Sequence, residues 1–153
     1  MNGRTLLRCF ILLVLLSGCS PDENRMHDGY YSAVAAVFNK DGWKEFITLY
    51  VYNNRIVTVE YNARNASGLV RSWDAPYLRH LKEKAGVHPN RLIREYSREL
   101  LGRQDSEGIR RVRGDRRVYD VFKTLASAAI AQARAGDKTV LEVPVPEDGT
   151  QTP

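Results

Sequence analysis

Five arginines stand close together in the second half of the chain, and clustered arginines are suited to binding phosphate. They are Arg110, Arg111, Arg113, Arg116 and Arg117. A guanidinium donates paired hydrogen bonds to a phosphate, and the start of a helix adds a favourable dipole. The alternative is a solvated loop, partly paired with Asp115, Glu107 and Asp120. Because charge runs usually face water, we favour the solvated loop, with Gly114 and its neighbouring arginines kept as the candidate phosphate-binding segment.

The rest of the chain carries no pattern typical of catalysis. It has no nucleophile beside a base, no carboxylate pair and no glycine-rich phosphate loop. The three histidines, His27, His80 and His88, do not stand at metal-ligand spacing from one another or from a cysteine. We therefore expect no metal site and a non-catalytic protein.

Cys19 lies at the end of a segment with the layout of a signal peptide. Two arginines come first, the apolar run 10–16 follows, and Leu16-Ser17-Gly18-Cys19 completes the segment. These four residues resemble the bacterial lipobox, in which the cysteine sulfur takes a diacylglycerol. The alternative is an ordinary secretory signal with an incidental cysteine, but here the cysteine directly follows the small residues. The sequence thus predicts a signal peptide over 1–18 and lipidation at Cys19, and two or more acyl chains give stable anchoring.

Composition and export restrict the partners. The chain has 153 residues, 23 basic and 18 acidic, with a formal net charge of +5. Loss of Arg4 and Arg8 with the signal peptide leaves a mildly basic protein, so we expect membrane lipid, and not nucleic acid, as a partner. Cys9 leaves with the signal peptide and Cys19 is consumed by lipid, which excludes an internal disulfide. We expect a monomer on the periplasmic or outer-surface side of a bacterial membrane.

The elements that must position these residues are strands first and helices later. Alternating apolar residues predict strands over 30–38, 43–52 and 55–61, joined by turns at Asp41-Gly42 and Asn53-Asn54. Asp74 with Pro76 begins a helix that Gly86 ends, and a second helix runs from Pro89 to a cap at Gly102. A third helix is predicted over 118–135 and a closing strand over 139–143. Trp43 and Phe122 are predicted core residues.

These elements define an α+β fold: an antiparallel meander plus a C-terminal strand, packed against two or three helices. We assign 19–28 as a lipidated tether, 29–143 as the domain and 144–153 as a disordered tail.

Several segments, in order, carry a family resemblance. They are Asp28-Gly29-Tyr30-Tyr31, Asp41-Gly42-Trp43-Lys44-Glu45-Phe46, Arg55 to Tyr61, Tyr77, Pro89 to Leu101, Val121 to Ala126 and Gly136-Asp137. This series resembles the membrane-anchored lipoproteins called "major membrane immunogen", of the FMN-binding-domain group. The resemblance implies that family's fold and raises the question of flavin.

Flavin-carrying members of that family join FMN to a threonine in a segment that reads roughly Asp-x-Val-Thr-Gly-Ala-Thr. The matching segment here keeps Val112 and Gly114, but Arg113 replaces the first threonine and Arg116 replaces the acceptor. Arginine cannot form the phosphodiester, so we expect no covalent FMN.

Two functional hypotheses follow. The first is a non-catalytic envelope lipoprotein that serves as a binding or structural module. The second is a flavoprotein that holds FMN without a covalent bond and passes electrons near the membrane. Tyr50, Tyr52 and Tyr61 suit stacking on a flavin ring, although such residues more often belong to a core or a sheet face.

Overall fold

The computed structural model describes residues 24–86, 88–112 and 116–146. Four strands and three α-helices lie within them. The strands are β1 (Gly29–Ala35), β2 (Lys44–Tyr52), β3 (Arg55–Arg64) and β4 (Leu141–Val143), and the helices are α1 (Ala75–Ala85), α2 (Pro89–Arg103) and α3 (Arg116–Ala135). A short 3-10 helix, Arg71–Trp73, precedes α1. The predicted α+β class is confirmed.

The sheet has the order β3-β2-β1-β4. β1, β2 and β3 form the predicted antiparallel meander, and β4 adds to β1 in parallel, which makes the sheet mixed. Asn53 and Asn54 both adopt positive φ (50° and 59°) in the two-residue β2–β3 turn, as hairpin turns of this length favour.

One face of the sheet forms the core. Ile47, Leu49 and Val51 of β2 point inward and are fully buried, as their alternation predicts. α3 packs over β1 and β2, and α2 packs over β3. The alanines 126, 129 and 133 of α3 are fully buried, and their small side chains allow the helix to approach the sheet closely.

Trp43 and Phe122 are confirmed as core residues, 3% and 0% exposed. The ring of Phe122 meets Tyr61 edge-on at 5.0 Å and stacks against Tyr96 at 5.4 Å between centroids. This aromatic group joins α3 to both β3 and α2.

Several boundaries differ from the predictions. β1 ends at Ala35, and Val37 and Phe38 are exposed beyond it. The register of β2 with β3 shifts between Tyr50 and Val51, so that Val57 forms a bulge and Ile56 faces the core.

The helix ends also differ. α2 continues past Gly102 to a cap at Gln104, whose backbone is left-handed and whose side chain bonds Ile56 N, Ile56 O and Leu101 O. α3 begins at Arg116, so Arg116 and Arg117 belong to its first turn and not to a loop.

The ends of the domain extend beyond 29–143. Met26 is 6% exposed in the core, and its N–H bonds Asn54 Oδ1 at 2.7 Å. His27 N–H bonds Ala133 O at 2.8 Å. Residues 26 and 27 are therefore part of the domain and not of the tether. Val145 likewise packs against the core, although it falls in the predicted tail.

Candidate functional site

A buried carboxylate lies at the end of the sheet where β2 begins. Glu45 lies two residues before Ile47 in β2, so its side chain points to the same inward face, and it is fully buried. An isolated carboxylate there would be strongly unfavourable, so it requires partners that bring both charge and hydrogen bonds. It has three hydrogen-bonding partners, two of them charged, from three separate parts of the chain.

Two of the partners are arginines. Arg117, in the first turn of α3, donates from Nη1 to Glu45 Oε1 at 2.7 Å and from Nη2 to Oε2 at 3.5 Å. Arg71, in the 3-10 helix, donates from Nη1 to Oε1 at 3.5 Å. The side chains of Arg117 and Arg71 are 15% and 7% exposed. We call Glu45, Arg71 and Arg117 the charge cluster.

The third partner is Asn39, which also shapes the β1–β2 turn. Its Nδ2 donates to Glu45 Oε1 at 3.2 Å, while its Oδ1 accepts from the N–H groups of Asp41 and Trp43. One side chain thus fixes both the turn and the carboxylate. The charge cluster ties β2 to α3 and to the 3-10 helix, and Asn39 ties it to the β1–β2 turn.

Two tyrosines lie beside the charge cluster. Burial raises the pKa of the Tyr61 phenol well above its usual range, against the opposing positive charges of Arg71 and Arg117. Burial also raises the pKa of Tyr77, together with its hydrogen bond to Asp41 Oδ2 at 2.9 Å. Both phenols therefore stay protonated at neutral pH and act only as neutral hydrogen-bonding groups.

Those of the predicted phosphate-binding arginines that the structure describes lie in different surroundings. Arg111 is exposed. Arg116 pairs with Asp120 at 3.5 Å with its side chain 64% exposed, whereas Arg117 turns inward to Glu45. Arg110 lies near Glu99 at 3.8 Å. Cys19, Arg113 and Gly114 lie outside the described residues.

A cavity of about 250 Å³ opens beside Arg117. Polar groups from Asn39 and Lys40 line it together with the apolar side chains of Val37, Phe38, Val145 and Pro146. This concave surface combines a cationic side chain with the first turn of α3, and both features favour binding of a small anion.

A second cavity, of about 370 Å³, lies on the sheet face that the helices leave open. Arg64 lies over the Phe46 ring at 4.6 Å, and Lys44 lies 5.9 Å from the Phe38 ring and bonds Glu142 at 2.9 Å. Both cations are therefore engaged with neighbouring groups of the sheet.

The three tyrosines considered for flavin stacking lie in different parts of the fold. Tyr61 is buried in the core. Tyr50 stacks on Tyr30 at 4.7 Å on the open face, and Tyr52 is exposed at the end of β2. They do not form one ring-binding surface.

Sequence reasoning missed Glu45 and Arg71. A signal for Glu45 was present, because the inward alternation of Ile47, Leu49 and Val51 includes position 45. For Arg71 the sequence offers no such signal, since it follows a polar loop. It reaches the sheet only in the folded state, through the bridge between Arg64 and Val70 and the hydrogen bonds of Ser72 with Asn62.

Among the described residues, no group of three or more His, Cys, Asp or Glu side chains could hold a metal ion. None of the helices in the described ranges is long and apolar enough to cross a bilayer.

The fold and the cluster define a small α+β domain with a mixed four-stranded sheet, helices on one face and a buried Glu-Arg-Arg group at one end. No family model matches the chain. The chain is 30% identical over 130 residues to the 15 kDa lipoprotein of Treponema pallidum (strain Nichols), across 85% of this chain and 91% of that protein. The chain belongs to the family of that lipoprotein, which makes it a bacterial lipoprotein.

Solved structures resemble the fold. The crystal structure of the CPE2226 protein from Clostridium perfringens matches with a TM-score of 0.74 at 22% identity, covering 79% of this chain and 99% of that one. An NMR structure of a Clostridium thermocellum protein has a TM-score of 0.45 at 24% identity, over 80% of this chain and 99% of that one. The Clostridium perfringens protein shares the fold, and the likeness extends no further.

Proposed function

We propose that the protein is a membrane-anchored envelope lipoprotein whose domain is a non-catalytic binding or structural module without covalent flavin. One observation carries the proposal: Arg111, Arg116 and Arg117, which a phosphate-binding loop would direct to one point, face three different surroundings. The family relation supports the lipoprotein assignment.

The energetics of the charge cluster support the same conclusion. Arg117 is held against a fully buried carboxylate. Moving its guanidinium to a ligand would leave Glu45 without its closest partner, and hydrogen bonds left unmade at a buried polar group cost about 1–3 kcal/mol. The pair therefore serves to hold α3 on the sheet.

Lipid attachment at Cys19 is tested by substitution. Cys19→Ser should abolish incorporation of labelled fatty acid, because it removes the sulfur that forms the thioether. Cys9→Ser is the matched control and should keep the label, since Cys9 precedes the small residues of the cleavage point. Labelling of the Cys19→Ser protein would contradict the anchor.

The absence of covalent flavin is tested by co-expression with a flavin transferase. The denatured wild-type band should show no flavin fluorescence, because Arg116 offers no hydroxyl. A variant with Arg113→Thr, Asp115→Ala and Arg116→Thr restores the Val-Thr-Gly-Ala-Thr part of the pattern over residues 112–116. Fluorescence of the wild-type band would overturn the proposal, and fluorescence of the variant alone would trace the loss to these positions.

A second candidate function is non-covalent binding of FMN, favoured by the cavity beside Arg117 and Lys40. Its volume of about 250 Å³ falls below the roughly 300–1,000 Å³ typical of small-molecule sites, so it suits the phosphate better than the ring system. This candidate requires a flavin absorption spectrum in the natively exported protein, lost on dialysis at high salt and weakened by Lys40→Ala. A colourless protein that FMN does not titrate excludes it.

A further inference from the structure

The chain enters the domain at a defined place. Met26 N–H bonds Asn54 Oδ1 in the β2–β3 turn, and His27 N–H bonds Ala133 O near the end of α3. Because Met26 is also buried in the core, the backbone is fixed there. The segment that leads from Cys19 therefore reaches the domain at the end of the sheet opposite the charge cluster.

Exposed aromatic and apolar side chains gather at this same end. Tyr30 is 65% exposed, Tyr52 53% and Val57 48%, and Arg55 is exposed beside them. We call these four residues and the Asn53-Asn54 turn the hairpin end. Tyrosine, with an apolar ring and a polar tip, is enriched where membrane meets water.

The length of the lead segment restricts how the domain can lie. At about 3.3–3.6 Å per residue, the stretch from Cys19 to Met26 spans at most about 25 Å. At about 3.3 Å per residue, β2 spans about 23 Å from Glu45 to Tyr52 at the hairpin end. A domain inverted onto its cluster end would need the lead segment to run back along the sheet almost fully extended, whereas an approach by the hairpin end needs no such extension.

We propose that the hairpin end rests on the lipid surface, with Tyr30 and Tyr52 at the level of the headgroups. The cluster end and the cavity beside Arg117 then face away from the membrane, open to solutes and to other envelope proteins. This orientation rests on the lipid anchor at Cys19 proposed above and adds a second contact to it.

Fluorescence quenching by brominated lipid tests the orientation. The native Trp73 is 75% exposed and lies at the cluster end, where Ser72 bonds Asn62, and Trp43 is buried near it. Two probes are placed in a Trp73→Phe background: Tyr52→Trp at the hairpin end and Phe38→Trp at the cluster end. Each acylated protein is reconstituted in phosphatidylcholine vesicles with and without brominated acyl chains.

The expected result is loss of emission from the Tyr52→Trp probe in brominated vesicles and unchanged emission from Phe38→Trp and from native Trp73. If all proteins float with the vesicles but neither probe is quenched, the domain stands off the lipid and the contact is wrong. Quenching of Trp73 or of Phe38→Trp would show the reverse orientation. Failure to float, checked by fatty-acid labelling, would instead disprove the anchor, and the contact with it.

Discussion

Along α3, two buried regions hold the helix to the sheet by opposite means. Around Phe122 the contacts are apolar and aromatic, with Tyr61 and Tyr96 at 5.0 and 5.4 Å. At the first turn Arg117 is held by Glu45 at 2.7 Å. Apolar packing tolerates replacement of one apolar side chain by another of similar size, whereas a buried charge is stable only with its partners in place. The apolar region should therefore supply stability and the charge cluster should fix the position of the helix start.

The largest effect is expected in the apolar region. Phe122→Ala should lower the free energy of unfolding by about 3–5 kcal/mol, because it leaves a cavity between α3, β3 and α2. Denaturant unfolding followed by circular dichroism measures the loss. Phe38→Ala, at a ring that is 48% exposed, is the matched control and should change much less. Equal losses would mean that α3 does not pack through Phe122.

The charge cluster should respond to loss of charge without loss of shape. Glu45→Gln keeps the volume and removes the carboxylate, and it should cost about 1–3 kcal/mol because two guanidiniums are left facing a neutral amide. Glu60→Gln, exposed on β3, should stay within about 0.5 kcal/mol of the wild type.

A combined substitution sharpens the same test. Glu45→Leu with Arg71→Met and Arg117→Met replaces the whole cluster by apolar side chains and should recover most of the stability that Glu45→Gln loses. If the combined variant is less stable than Glu45→Gln, the cluster contributes net stability and the division between the two regions fails.

Alkaline pH gives a third test, at the tyrosine that touches both regions. Burial raises the folded-state pKa of Tyr61 above its usual value, so the stability that this phenol contributes is present below about pH 10 and is lost as the pH rises further and the unfolded chain ionises. Between pH 10 and 11, Tyr61→Phe should therefore lose about 1 kcal/mol less than the wild type. Melting temperatures that fall in parallel over this range would contradict the assignment.

The smallest effect is expected at the exposed neighbour of Arg117. Arg116→Ala removes a pair to Asp120 at 3.5 Å whose arginine is 64% exposed, which should cost only about 0.3–0.5 kcal/mol. Arg117→Ala is its counterpart one residue along and should cost several times more. Similar losses at both positions would show that burial does not distinguish them.

The apolar region could be predicted from the sequence, and the charge cluster could not. Alternation in β2 and a helical stripe in α3 identify Leu49 and Phe122 because each pattern is local. The same alternation includes Glu45, but its burial depends on Arg71 and Arg117, which lie far away in the chain and reach it only in the folded state. The helix cap at Gln104 was not predicted for a related reason, since its side chain bonds Ile56 on another element. Lipidation at Cys19 and the tether remain predictions from the sequence.

The parallel pairing of β4 with β1 has a consequence for the order in which the protein folds. Ala33 of β1 pairs with Leu141 of β4, which lies 108 positions further along the chain. Closing so long a loop is entropically costly, whereas the β1–β3 meander closes through short turns. We expect the meander to form first, α3 to pack over it next, and β4 to join last through its 3 residues. In native-state hydrogen exchange, the β4 amides should then open at lower free energy than those of β2, which would make this edge the first part of the sheet to separate.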